Sequence, residues 1–140
     1  MRIYLDNCCY NRPYDNQSQQ RINDETESIF RAINHKENII IGSDTLILEM
    51  AQIKDVDLQL DIVAMYSQTI KEEVSTNEEV EKIADSIMSE SSIHKMDALH
   101  LASAIVGKAE IFLTVDDKLI KSCSKLNLNM KVINPVELEE

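Results

Sequence analysis

The sequence predicts an α/β fold, a parallel β-sheet covered on both faces by helices. Three short runs, Ile3–Leu5, Ile39–Ile41 and Ile111–Leu113, are apolar at every position, which suits strands buried on both faces rather than strands with one wet side. Between them lie longer segments whose apolar residues recur at helical spacing, so strands and helices alternate as a parallel topology requires. With 140 residues, 44% of them apolar, one domain over residues 1–140 is expected. Such a chain buries roughly two-thirds of its extended surface and needs neither disulfide nor structural metal.

The elements follow in order. Ile3–Leu5 is a buried strand ending at Asp6, and the polar stretch from Asn11 to Gln20 reads as a loop. From about Gln19, Ile22, Ile29, Phe30 and Ile33 mark one helix face, with Asn34-His35 as its stop. Ile39–Ile41 is β-branched throughout and closes at Gly42. Ser43 can cap a helix carrying Leu46, Ile47, Leu48, Met50, Ala51 and Ile53, apolar nearly all round and therefore expected to be buried, with Glu49 inside it. Leu58, Ile62, Val63 and Tyr66 mark a further helix, and Thr69 to Val74 an edge strand.

Thr76-Asn77-Glu78-Glu79 reads as a capping box, with the Thr hydroxyl and Glu79 carboxylate satisfying free backbone donors, ahead of Val80, Ile83, Ala84, Ile87 and Met88. Residues 71–91 carry seven acids and two lysines, the pattern of a solvated outer face. A helix from about Met96 stops at Gly107; after Ile111–Leu113, Leu119, Ile120, Cys123 and Leu126 mark a short helix, and Met130 to Ile133 the last strand. Met50, Met65, Met88 and Met96 read as core filling.

Composition narrows the function classes. No apolar run approaches the roughly 20 residues that span a bilayer, and the first residues meet the charge of Asp6 before a signal-like stretch develops, so a cytoplasmic location is expected. Cys8 and Cys9 are adjacent, Cys123 is alone, and no pair has metal-binding spacing; all three are read as reduced and structural. Twenty-five acids against 14 basic residues give a net charge of −11, which disfavours broad non-specific adhesion to nucleic acid but leaves room for a local basic strip.

The same excess raises the question of clustered carboxylates. Asp6 and Asp116 each end a predicted strand and so share one sheet edge, where ligand sites of open α/β sheets form. Glu49 lies in the helix after the second strand and Asp97 opens a later helix, so all four acids can converge on one cleft. Crowded carboxylates either share protons or bind a hard divalent cation, and oxygen-only ligation selects Mg²⁺ or Mn²⁺. Two such ions about 4 Å apart activate water and stabilise the leaving oxygen of a phosphodiester. Each acid also has a plain alternative: Asp6 as a turn cap, Asp97 as a partner of the helix dipole, and one of Asp116 and Asp117 as a helix cap while the other faces the cleft. Glu49 is hardest to explain this way, because an ionised group on an apolar helix needs a partner.

The local motifs are more specific. Ile3-Tyr4-Leu5-Asp6-Asn7 running into Asn11-Arg12-Pro13, Ser43 six residues before Glu49, Lys95-Met96-Asp97-Ala98-Leu99-His100-Leu101-Ala102-Ser103-Ala104, and Phe112-Leu113-Thr114-Val115-Asp116 are collinear over nearly the whole chain. In these segments the sequence resembles the PIN-domain ribonucleases, particularly the VapC-like toxins of toxin–antitoxin pairs. The resemblance implies a three-layer sandwich with a five-stranded parallel sheet in the order 3-2-1-4-5. It also implies an acidic cleft for Mg²⁺ or Mn²⁺, endoribonuclease cleavage, a homodimer and an inhibitory antitoxin of a type II pair. By position, Asp6, Asp97 and Asp116 are similar to the metal ligands and Glu49 to the acid that holds a metal-bound water. Asn7 and Thr114 match polar positions beside the ligands, where they orient them or bind phosphate, or simply satisfy local backbone groups.

His100, among Ala98, Leu101 and Ala102, reads as a packed, hydrogen-bonded core residue. Arg12, Lys118, Lys121 and Lys125 are the candidates for gripping phosphates, against an ordinary solvated face. A non-cleaving regulatory module of the same fold, binding RNA or protein, is the main alternative. A phosphoacceptor receiver domain is a third reading, disfavoured because Asp6-Asn7 does not supply paired early acids.

Overall fold

The structure, a computed structural model, describes residues 1–139. Its strands are β1 (Arg2–Leu5), β2 (Ile39–Ser43), β3 (Glu72–Val74), β4 (Ile111–Leu113) and β5 (Lys131–Ile133). The helices are α1 (Asn7–Asn11), α2 (Gln20–Asn34), α3 (Asp44–Met50), α4 (Val56–Thr69), α5 (Glu78–Glu90), α6 (Lys95–Val106) and α7 (Asp117–Cys123). The five strands form one wholly parallel sheet in the order β3-β2-β1-β4-β5. This is the expected PIN-like α/β sandwich, and it differs from the 2-1-3-4-5 order of receiver domains, which removes that third reading.

The apolar runs explain the centre of the sheet. Ile3 pairs with Ile40 and Ile111, and Tyr4 with Ile41 and Phe112, so side chains of β1 meet β-branched or aromatic neighbours on both sides. Ile3, Tyr4 and Leu5 have no exposed surface. From β1 the chain steps outward one way to β2 and β3, then returns to β4 and steps the other way to β5. Right-handed crossovers therefore place the two sets of connecting helices on opposite faces. The direction of winding reverses between β1 and β4, and such a switch point leaves a crevice beyond the carboxyl ends of those two strands. Asp6 and Thr114 are the residues that follow them.

Several local expectations are corrected. The stretch after Asp6 is not a loop: α1 starts at Asn7, because the Asp6 side chain caps it, and a 3-10 turn at Arg12–Tyr14 follows with Pro13 inside it. The cap of α5 is Asn77, whose side-chain oxygen accepts the Val80 N–H at 2.9 Å. Thr76 instead donates its hydroxyl to Asp44 at 2.7 Å, so the capping box does not form. Ser43 caps α3 as expected, but Ile47 and Leu48 are 47% and 53% exposed, since a helix of two turns reaches the core with only one side. On α2, Phe30 is exposed while Glu25 is buried, because arginines and an asparagine are available to pair with the carboxylate. Met88 is also partly exposed rather than core filling.

Candidate active site

Asp6 is fixed by the sheet itself. Its backbone N–H continues the β1–β4 ladder to the Leu113 carbonyl at 2.9 Å, so the side chain is delivered at the switch point. Its Oδ1 accepts the Asn7 N–H at 2.8 Å and its Oδ2 the Thr114 hydroxyl at 2.8 Å. Only 5% of Asp6 is exposed. Burial raises its pKa, against the hydrogen bonds that the Thr114 hydroxyl and the Asn7 N–H donate to it.

Asp97 lies in the first turn of α6, half-buried. Its pKa is raised first by desolvation and then by the negative charges of Asp6, Asp116 and Glu49. Elements far apart in sequence thus bring the other three carboxylates within electrostatic reach of Asp97. Asp116 caps α7, its Oδ1 accepting the N–H groups of Lys118 at 3.0 Å and Leu119 at 3.2 Å. Asp117 turns away and takes both guanidinium nitrogens of Arg21 at 2.9 and 2.8 Å, which lowers its pKa. The cap and the cleft residue are therefore the same side chain, Asp116, rather than one each of the pair.

Glu49 on α3 completes the ring. Its Oε2 accepts the Asn7 side-chain amide at 3.1 Å, and its Oε1 meets Nε2 of His100, the partner its position on an apolar helix demanded. Asp6, Asn7, Glu49, Asp97 and Asp116 all line one cleft of about 250 Å³, with Cys8, Asn11, Arg12, Asp15 and Val115. A larger cavity of about 730 Å³, walled mainly by apolar side chains of residues 105–111 and 128–131, lies elsewhere and contains none of these acids.

The remaining candidates divide. Thr114 is wholly buried behind the cleft and donates to Asp6 while its oxygen accepts the Asp116 N–H at 3.2 Å. Arg12 reaches the cleft wall but is already paired, with Asp15 at 3.0 Å and the buried Glu25 at 3.2 Å. Glu25 also holds Arg21 at 3.2 Å and the Asn134 amide at 2.5 Å. Lys118 and Lys121 stand exposed on α7, outside the residues lining the cleft, and Lys125 lies beyond the end of that helix. Cys8, read from the sequence as reduced and structural, is a free thiol that also lines the cleft, a placement the sequence reading did not anticipate. Its thiol lies 3.5 Å from Asp6 Oδ2 and 3.3 Å from the Thr114 hydroxyl and accepts the Val115 N–H at 3.4 Å. Its place in the first turn of a helix capped by Asp6 was the available signal.

Among the described residues, no three His, Cys, Asp or Glu side chains stand close enough to enclose a metal ion directly. The donor set is nonetheless all oxygen and strongly anionic, and its members face a shared aqueous space. That arrangement fits a hard ion keeping much of its water, as Mg²⁺ does, and not a dehydrated, thiolate-bound one.

Sheet order and cleft together define a class: the fold is the VapC-like, PIN-domain fold. Solved structures share it over almost their full length. VapBC2 from Rickettsia felis, bound to a DNA fragment from its promoter, matches with a TM-score of 0.63 at 17% identity over 96% of this chain and 98% of that one. VapBC-1 from nontypeable Haemophilus influenzae gives 0.64 at 11% identity over 98% of this chain and 100% of that one. Mycobacterium tuberculosis VapC20, described as a Sarcin-Ricin loop cleaving toxin, gives 0.62 at 13% identity over 92% and 98%. No family model and no curated protein sequence matches the chain.

Proposed function

We propose that this chain is a Mg²⁺- or Mn²⁺-dependent endoribonuclease, the toxin of a type II toxin–antitoxin pair. The observation that carries the reading is the convergence of Asp6, Glu49, Asp97 and Asp116 on one cleft at the switch point, where burial first and then the three other acids raise the Asp97 pKa. A cluster of that kind is costly at neutral pH unless a cation neutralises it.

In this reading Asp6, Asp97 and Asp116 hold the metal, Thr114 and the Asn7 N–H fix the Asp6 carboxylate, and Glu49 orients the attacking water. A bound divalent ion supplies positive charge for the phosphate oxygens and acidifies water. Arg12, already in the cleft wall, is the nearest cation for a substrate phosphate; Lys118 and Lys121 extend the positive surface along α7. Attack of water on phosphorus releases the 3′ oxygen. The apolar surface of Ile47 and Leu48 on α3 and of Val56 and Leu60 on α4 suits coverage by an antitoxin or a second subunit. Two of the similar structures are VapBC complexes and the third is described as a Sarcin-Ricin loop cleaving toxin, which supports an antitoxin partner and a nuclease activity. No helix among the described residues is long and apolar enough to cross a membrane.

The test is cleavage of a mixed RNA preparation in Mg²⁺ or Mn²⁺ by the pure protein. Asp6→Asn and Asp97→Asn should each reduce the rate by at least about a hundredfold, beyond the loss typical of residues that merely support a metal ligand. Full activity in both variants overturns the assignment. Intact RNA with measurable partner binding favours the non-cleaving module instead.

A further inference from the structure

We propose that Ser43, Tyr4 and His100 form a buried, one-directional chain of hydrogen-bond donors that locks the Glu49 carboxylate in the cleft, making His100 the positioning residue for Glu49. Its mechanistic value rests on the nuclease reading above; the chain itself does not. His100 has no exposed surface. Its Nδ1 lies 2.7 Å from the Tyr4 hydroxyl and its Nε2 against Glu49 Oε1, and the Tyr4 hydroxyl lies 2.7 Å from Ser43 Oγ. Ser43 Oγ in turn accepts the Leu46 N–H at 3.2 Å.

Counting donors fixes the direction. Once Ser43 Oγ has accepted from Leu46, its hydroxyl proton has Tyr4 as its partner; the Tyr4 proton then goes to His100 Nδ1, and a neutral ring accepting at Nδ1 carries its own proton on Nε2. That proton is donated to Glu49. Run the other way, with either a protonated Glu49 or a doubly protonated His100 ring, the chain would leave the buried Ser43 hydroxyl proton without an acceptor among the hydrogen bonds described, a cost that buried polar groups rarely bear. Burial also holds the Tyr4 phenol protonated, well above its ordinary range.

The rings are held by packing as well as by hydrogen bonds. Tyr4 stacks on Phe112 at 5.3 Å between centroids with an 8° interplanar angle, and meets His100 edge-on at 5.9 Å. With Oε1 held by His100 from behind the cleft and Oε2 by the Asn7 amide in the cleft wall, both carboxylate oxygens are gripped. Glu49 is thereby kept in one orientation although it stands on an otherwise exposed stretch of α3. The chain joins β1, β2, α3 and α6, elements whose mutual placement only the fold sets.

The test uses the full-length chain with ¹⁵N-labelled histidine. His35 and His94 are exposed, so the His100 ring is identified by its loss in His100→Gln. The expected spectrum shows the Nε2–H tautomer, with Nδ1 moved by Tyr4→Phe and Nε2 moved by Glu49→Gln. An Nδ1–H tautomer, or a ring indifferent to Glu49→Gln, overturns the proposal. In RNA cleavage, His100→Met, which removes the donor with little change in volume, should lower kcat by about tenfold or more with KM nearly unchanged, in line with loss of one charge-assisted hydrogen bond. His100→Gln, whose amide can still donate to Glu49, should recover most of that loss. Equal kcat in the Met and Gln variants, with both folded by circular dichroism, overturns the positioning role. If the wild type leaves RNA intact while the ring shows the expected tautomer and couplings, the chain stands and the nuclease reading falls.

Discussion

Asp97 shows what the cleft costs the protein at the scale of single residues. Its carboxyl and that of Asp6 titrate above their ordinary range, so the folded state binds protons that the unfolded chain releases near pH 3.8. Stability from these groups is therefore full in acid and is lost as pH rises through the raised values. Metal-free Asp97→Asn should melt higher than wild type at pH 7, and the difference should vanish as pH falls toward 4 (about the unperturbed aspartate value); thermal melts across that window check it. Thr114→Val removes a hydroxyl that donates to the ionised Asp6 and accepts from the Asp116 N–H. It should destabilise by about 1–3 kcal/mol, more at neutral pH than in acid, as read by urea titration. The acids were legible as single residues because charges at the ends of apolar runs stand out. The contacts of Cys8 were not, since Thr114 and Val115 reach its thiol from the end of a strand more than 100 residues later.

Element boundaries were set by which side chain reached a free backbone donor first. Thr76 and Asn77 are both good helix caps, and the sequence favoured Thr76 through Glu79. Asp44, on a helix more than 30 residues earlier, captures the Thr76 hydroxyl and N–H, leaving the cap to Asn77. Asn77→Ala should consequently cost about 1 kcal/mol, measured by chemical denaturation, while Thr76→Ala acts by freeing Asp44 and leaves α5 capped. Gly42, which follows the three isoleucines of β2, is set by close approach. A Cβ there would lie 2.3 Å from the Tyr66 hydroxyl, which is held by the Ser43 carbonyl and Glu73 and cannot yield. Gly42→Ala should cost about 1–3 kcal/mol and displace the start of α3, the helix that carries Glu49. The sequence showed a strand closing at this glycine, but not what stood opposite it.

For the molecule as a whole, a charge of −11 and a cleft of four acids point to cation binding as the largest available relief. Adding Mg²⁺ or Mn²⁺ should raise the melting temperature of the wild type in proportion to the logarithm of free metal once the site fills. The same addition should move Asp6→Asn far less; equal shifts in both proteins would place the ion elsewhere. Calcium, with similar charge but more ligands and longer bonds, separates a site shaped for a small hydrated ion from simple charge screening.

The sequence by itself determined the parallel sheet, most of its helices and the identity of the acids that meet, because apolar periodicity and strand-end charges are local properties of the chain. The tertiary structure decided which of two adjacent aspartates faces the cleft, which polar residue caps a helix, and that a buried histidine grips Glu49. Those outcomes are competitions between partners distant in sequence, and they are settled only when the sheet order brings the competitors into hydrogen-bonding range.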